Sequence, residues 1–354
     1  KLLDELSKER KSHKERADLI AKKLKELAAK PQDEATENEQ DNLERERQKA
    51  LELAKEINQR DLLNAMTDAG LIPNYAFPEA GIELKSLLWR KRGVDDPAGA
   101  RNVVSLPAQR YERPANSALS EFAPENVFYA NQRKVEIDQI NLQLSSVESW
   151  RLCPTCQHMN NETVMPDTSG VCPSCGDPMW ANVSQVRDLL RFRQAIATSD
   201  DTKVRIDDSD DDREPKFYVR QLITDFKPVD VELAYKVAST ETPFGFEFVK
   251  KVVFRDVNFG EAGRGTEAYS VAGIERARPG FSLCRHCGKV QPDFEPDPQH
   301  SFDCPHKDAP AEQTMIRYLY LYREFSSEAL RILVPYTRSG VDETSVESFM
   351  AALR

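Results

Sequence analysis

The chain carries seven cysteines, and all of them fall in two clusters whose spacing suits a metal ion. The first cluster reads Cys153-Pro-Thr-Cys156, then fifteen residues, then Cys172-Pro-Ser-Cys175-Gly176. A Cys-x-x-Cys pair on a tight turn aims both thiolates at one point, and two such pairs complete a tetrahedral zinc site. Pro154 and Pro173 stiffen the two turns, and Gly176 frees the backbone at the exit of the second. A redox pair or disulfides are the competing uses of the same residues. Cys284-Arg-His-Cys287-Gly288 repeats the knuckle, and His300-Ser-Phe-Asp-Cys304-Pro-His306 offers three ligands for the two remaining places. His300 with Cys304 is preferred, because that spacing puts both groups on one side of a helical turn or tight loop. Cys304 with His306 is the alternative. His286 then faces solvent or supports a ligand, and His158 is a surface residue because four thiolates already complete the first site.

Two structural zinc ions are therefore expected. A site closed by four protein ligands has no position for water or substrate, so it does no Lewis-acid chemistry. No Ser/His/Asp or Cys/His constellation competes, since every cysteine belongs to a cluster. Gly260-Glu-Ala-Gly263-Arg-Gly265 is glycine-rich but lacks the lysine and strand context of a phosphate loop, and reads as an ordinary loop. The acidic run Asp200 to Glu214 holds eight carboxylates but lacks the alternation and glycine of a calcium loop, so a solvated loop is expected. The basic stretch Arg90-Lys91-Arg92 is the best candidate for phosphate contacts, followed by Arg110 and Arg113. A solvated strand end is the competing reading.

Composition limits the rest. The chain has 354 residues, 31% of them charged and 40% apolar, enough for two or three units and a sizeable core. Its net charge of −10 argues against a protein that coats nucleic acid over its whole surface, so any such contact is local. No apolar run reaches the roughly 18 residues a membrane helix needs, and no signal peptide opens the sequence. Seven cysteines in two clusters of metal-ligand spacing point to a reducing, cytoplasmic compartment.

The elements that position these clusters follow from periodicity. Residues 1–69 read as an antiparallel helical hairpin or short coiled coil followed by a short helix, Leu62 to Ala69. Leu2, Leu6, Ile20, Leu24 and Leu27 share one face, and Leu43, Arg47, Ala50, Ala54 and Ile57 form the facing seam. His13 is read as exposed. Residues 1–30 carry a charge of +4 and residues 31–60 a charge of −4, so the arms attract. Residues 70–148 form an α+β connector. It holds a strand at 83–89, a loop at 94–108, a short helix from Asn116 to Phe122, and a hairpin of Val127–Tyr129 with Lys134–Ile137. The four-cysteine ribbon occupies 149–182. Residues 183–280 begin with an amphipathic helix at 184–197, then the acidic loop, then strands near 217–222, 229–233, 244–254 and 269–274. The second knuckle occupies 281–308. In 309–354, Met315 to Val334 reads as two buried strands joined near Ser326-Ser327, before a helix start that looks cut short. Tyr318, Tyr320 and Tyr322 belong to sheet core, with a base-stacking platform as the alternative. The fold class expected is α+β: a helical hairpin followed by a mostly antiparallel β-rich module with zinc-ribbon insertions.

Three phrases resemble a known family: LIPNYAFPEAGIELKSLLWRKR (71–92), ERPANSALSEFAPENVFYANQRKVEID (112–138) and LYREFSSEALRILVPYTRSGVDETSVESFMAAL (321–353). With the four-cysteine ribbon between them, they are similar to the region after the motor in large bacterial DEAD/DEAH-box-like superfamily-two helicases. These proteins end in a zinc-binding domain of unknown function. The likeness is greatest to the helicase subunit of Druantia anti-phage defence, with DISARM and MrfA-type helicases more distant. The resemblance implies an accessory C-terminal segment of an ATP-dependent DNA helicase. DNA is then reached through the parent protein, and partner subunits come from a defence system. The chain has no Gly-x-x-x-x-Gly-Lys-[Ser/Thr] loop and no acidic box for magnesium, so ATP and magnesium would belong to a motor upstream of Lys1. The other reading is a zinc-stabilised protein–protein docking module without nucleic-acid contact.

Overall fold

The computed structural model describes residues 2–29, 34–59, 81–91, 103–144, 147–206, 215–237, 244–263, 268–277, 279–291, 299–301 and 304–333, with 348, 351 and 352. The helix expected at Leu62–Ala69, the proline-rich loop before Ile82 and Arg92 lie outside the described residues.

Two long helices come first, α1 (Leu2–Ala28) and α2 (Glu34–Gln59). Then follow β1 (Ile82–Lys91), β2 (Val103–Ser105), β3 (Gln109–Arg113) and the short helix α3 (Ala115–Glu121). Next are β4 (Val127–Ala130), β5 (Arg133–Glu136), β6 (Gln139–Ile140), β7 (Val147–Leu152) and β8 (Met159–Asn161). The chain continues through β9 (Val186–Arg191), β10 (Gln194–Asp200), β11 (Tyr218–Asp225), β12 (Val231–Lys236) and β13 (Gly245–Glu261). It closes with β14 (Ala268–Val271), β15 (Ile274–Ala277), β16 (Phe281–Cys284), a single helical turn α4 (Ala311–Thr314) and β17 (Met315–Leu333). This is the expected α+β arrangement, a helical pair ahead of a mostly antiparallel, strand-rich region.

The helical pair is antiparallel, because partners fall in number on α2 as they rise on α1. Arg10 donates to Asn58, Arg16 pairs with Glu46 at 2.6 Å, and Lys23 with Glu39 at 3.2 Å. Its seam buries Ala17, Ile20 and Leu27 against Leu43, Ala50, Leu53 and Ala54. His13 departs from expectation: it is buried beside Glu9, one turn below Ala17 on the same stripe. A 4-3-4-3 spacing from His13 through Ala17, Ile20, Leu24 and Leu27 puts it on the seam whatever its polarity.

The chain divides into two compact units, 1–221 with 256–323, and 222–255 with 324–354. In the first unit β1 lies parallel to β10 along its length, with β2 and β3 antiparallel on its other side and β6 against β10. Arg45 of α2 stacks over Trp89 of β1 at 4.0 Å. One core joins residues of β1, α3, the β4–β5 hairpin, β9, β10, β16 and β17, and includes Leu84, Leu119, Phe122, Val135, Leu190, Ala195 and Leu319. Each fully buried side chain of Leu or Phe size contributes about 1.5–3 kcal/mol to that core. A larger sheet orders β11, β13, β17, β9, β7 and β8, with β9 parallel to β17 at Tyr320–Tyr322. In the second unit β12 pairs with β13, Phe254 stacks on Phe325, and Arg255 bonds both Asp225 and Glu324.

Several local expectations are corrected. Residues 186–200 are two strands, not a helix. Leu189, Leu190 and Ala195–Ala197 are buried, so both faces of these strands are covered; a continuous apolar run of this kind does not distinguish strand from helix. Val103–Ser105, within the expected loop, is a strand that pairs antiparallel with the end of β1. Residues 268–277 turn at Ala272-Gly273 into a hairpin rather than running on as one strand. Ser326-Ser327 is no turn: β17 runs through it unbroken. Tyr320 and Tyr322 are buried as sheet core, whereas Tyr318 is half exposed at a φ of +59°, which breaks the alternation beside a register shift in β16. Asp201, at the head of the acidic run, is buried and held by Arg133 and Arg205 rather than solvated.

Candidate metal centres

β7 delivers Cys153 to the first cluster and β8 leaves from it, so a strand pair sets the first knuckle. The turn closes through Cys153 N–H to His158 carbonyl at 3.0 Å, while the N–H groups of Cys156 and His158 point at the sulfurs of Cys153 and Cys156. The second knuckle folds the same way: Cys172 N–H bonds the Asp177 carbonyl, and Gly176 N–H bonds the Cys172 carbonyl at 2.8 Å. Gly176 has φ +78°, a left-handed conformation that a side chain would strain. The Thr155 hydroxyl donates to Asp177, tying one knuckle to the other. Trp180 packs, buried, against Cys153 and Cys172, and its ring N–H reaches Asp167. The β14–β15 turn clips the first knuckle from outside through Ala272 and Gly273 N–H to the Cys153 and Pro154 carbonyls.

The four sulfurs converge. Cys153 and Cys175 are 3.6 Å apart, as are Cys156 and Cys172, and all four donor atoms lie within 4.8 Å of one another. A disulfide requires about 2.05 Å. A tetrahedral ion with bonds of about 2.3 Å requires sulfurs about 3.8 Å apart, which is close to the observed arrangement. Burial pushes the Cys153 and Cys172 thiols above their ordinary range. Thiolates in that environment need a cation at their centre, and metal binding then releases their protons.

The second cluster is built on β16. Cys284 N–H bonds the Lys289 carbonyl and Gly288 N–H the Cys284 carbonyl, the same pair of bonds that shapes Cys172–Asp177. Gly288 has φ +72°, and an added Cβ would run into the Ile140 carbonyl of β6, so the knuckle packs directly on that strand. Ile140 N–H returns a bond to the Gly288 carbonyl, and Gln139 donates to the Cys287 carbonyl at 2.7 Å. Cys284, Cys287, His300 and Cys304 form the four-donor set, with Cys284 and Cys304 sulfurs 3.7 Å apart and His300 Nδ1 3.2 Å from Cys284. His300, not His306, thus completes the group. His306 stacks on His286 with ring centroids 3.9 Å apart. Hydrogen bonding between Cys284 and Cys287 lowers the first thiol and raises the second. His158 is half-buried against Trp180 rather than free at the surface.

The basic candidates do not converge in the same way. Arg90 is half-buried with Nη1 donating to the Lys91 carbonyl, and Lys91 is exposed. Arg110 pairs with Glu83 at 3.5 Å and Arg113 with Glu121 at 3.0 Å. Register sets Arg110 opposite Lys85 and Arg113 opposite Ile82. Along β1, Lys85 and Arg90 are about 17 Å apart at the usual rise, and odd and even positions face opposite ways. Arg110 therefore lies on the other face from Arg90.

No protein-family model, curated protein or solved structure matches this chain. Among the described residues no helix is long and apolar enough to cross a membrane. The residues that sequence reasoning missed are Trp180, Asp167, Thr155, Asp177 and Gln139. Each supports a knuckle through a contact whose partner lies at a distance that spacing rules do not address.

Proposed function

We propose that this chain is the accessory segment behind the motor of an ATP-dependent DNA helicase or translocase, acting in cytoplasmic anti-phage defence, and that each cluster holds a structural zinc ion. The observation that carries the zinc reading is the pair of closed four-donor sets at tetrahedral separations, one of four thiols and one of three thiols with an imidazole. Soft, thiolate-rich tetrahedra select zinc over magnesium or calcium, which prefer oxygen. A saturated ion fixes loops and leaves chemistry to another part of the protein. The helicase reading is supported by the sequence resemblance and by exposed Lys91 at the end of β1. Metal analysis by native mass spectrometry is expected to find two zinc ions per chain, and a value near zero overturns the structural-zinc reading. Charge reversal of Arg90, Lys91 and Arg92 to Glu is expected to abolish salt-sensitive DNA binding.

A second reading is supported by the second unit. Leu233 and Tyr235 of β12 and Phe248 of β13 are exposed, an apolar display that suits a protein partner more than a phosphate backbone. Absence of DNA binding at low salt, with association to a partner subunit retained, would favour docking.

A further inference from the structure

Between the helical pair and the second knuckle lies a cavity of about 90 Å³ in the first unit. Its wall includes Lys49, Arg16 and His13 from the helices, His286 from the knuckle, and Asn141 and Gln143 from the turn after β6. Among the described residues no Asp or Glu lines it, and Cys287 and Cys304 of the second cluster form its far edge. Lys49 is buried, and its ammonium bonds Gln139 Oε1 at 2.8 Å and Thr198 Oγ1 at 2.9 Å, both neutral acceptors. An ammonium has three N–H groups, so one more can serve an occupant of the cavity. Carboxylates stand behind the wall: Glu46 pairs with Arg16, and Glu9 sits 3.9 Å from His13. Glu46 and Asp138 also attract the Lys49 ammonium through space, without a direct hydrogen bond to it.

We infer that this cavity binds a phosphate group. A buried ammonium costs free energy unless it is paired, and here its direct hydrogen-bond partners are neutral. The Lys49 ammonium and the Arg16 guanidinium line one space with the Asn141 and Gln143 amides. Those amides donate to Gln194 at 2.8 Å and to Ser12 at 3.5 Å and each carry a second N–H, so the wall has donors suited to a tetrahedral oxyanion. The volume admits about three waters' worth of matter, which is the scale of a phosphate. The donors come from α1, α2 and the segment after β6, so an occupant would tie the helical pair to the sheet edge that carries the metal knuckle. Phosphate binding here does not depend on the helicase reading, since a free phosphate or the terminal phosphate of a nucleic acid presents the same group.

The test is titration of the zinc-loaded full chain with inorganic phosphate. Calorimetry and thermal unfolding give the affinity and the saturable stabilisation. A 5′-phosphorylated oligodeoxynucleotide and its 5′-hydroxyl counterpart are run in parallel. Saturable binding of inorganic phosphate, or preference for the phosphorylated oligonucleotide, supports the site and tells the two sources apart. Lys49→Met is expected to weaken binding about tenfold or more, the usual effect of losing one charged hydrogen bond. Arg16→Gln is the second variant should Lys49→Met fail to fold, and zinc content is measured in both to separate phosphate loss from metal loss. No saturable response of the unmodified chain to millimolar phosphate or to either oligonucleotide overturns the inference. Binding that both variants retain at full strength overturns it as well.

Discussion

His300 and His306 are close in sequence, and their neighbours assign them different work. His300 turns Nδ1 toward the sulfurs of Cys284 and Cys287, whereas His306 stacks on His286. His300→Ala is therefore expected to reduce the zinc count from two to one, and His306→Ala to leave it at two; equal counts in the two variants would contradict the assignment. Lys49 gives a second residue-level prediction. Burial lowers its ammonium from 10.5 to about 8. Below about 8 the lysine is charged both folded and unfolded, and the folded state bears the full cost, about 3 kcal/mol for a shift of this size. As pH rises from 8 toward 10.5 the folded lysine is neutral while the unfolded one still binds its proton, so that cost is relieved. Urea unfolding of the native chain and of Lys49→Met across this window should show the native chain gaining stability relative to the variant. A pH-independent difference would place the lysine in a more polar setting.

At the scale of elements, β10 is the strand on which the first sheet depends. It pairs with β1 in parallel through Gln194–Asp200 and with β6 on its other side at Ala195 and Ile196. Ala195→Pro would remove a ladder donor and force the ring against a neighbouring strand, at about 3 kcal/mol or more. Loss of the cooperative unfolding transition is expected in circular dichroism, and an unchanged transition would mean that β10 is an edge. This strand is not legible in the sequence. Its partner β1 lies about a hundred residues earlier, and a short apolar run fits a buried strand and a helix equally. The knuckles are legible because their ligands are local: two-residue gaps, a glycine at the exit and a fixed coordination number determine the geometry. The helical pair is legible from its heptad stripe, but polarity alone places His13 outside a seam to which its position assigns it. Two turn-prone residues suggest a break at Ser326-Ser327, yet β17 continues through them, because strand context outweighs a weak local preference.

For the whole molecule, charge decides how DNA would be held. The chain carries −10 overall, and of the basic candidates Arg110 and Arg113 already face Glu83 and Glu121. The Arg90–Arg92 stretch then offers at most three cations to a phosphate backbone. Each neutralised phosphate contributes a slope of about −0.9 in log K against log salt for duplex DNA, and about −0.7 for single strands. Three cations therefore predict a slope no steeper than about −3. A protein that wraps its substrate in a basic groove would give a slope of about −6 or beyond. Fluorescence anisotropy with a labelled duplex and a labelled single strand at several salt concentrations measures it directly. A shallow slope that flattens further when the three residues become Glu fits a local contact. A steep slope would require a basic surface beyond Arg90, Lys91 and Arg92. A flat response from the start, with no binding at low salt, would leave the exposed apolar residues of β12 and β13 as the working surface and make the protein-docking reading the one to pursue.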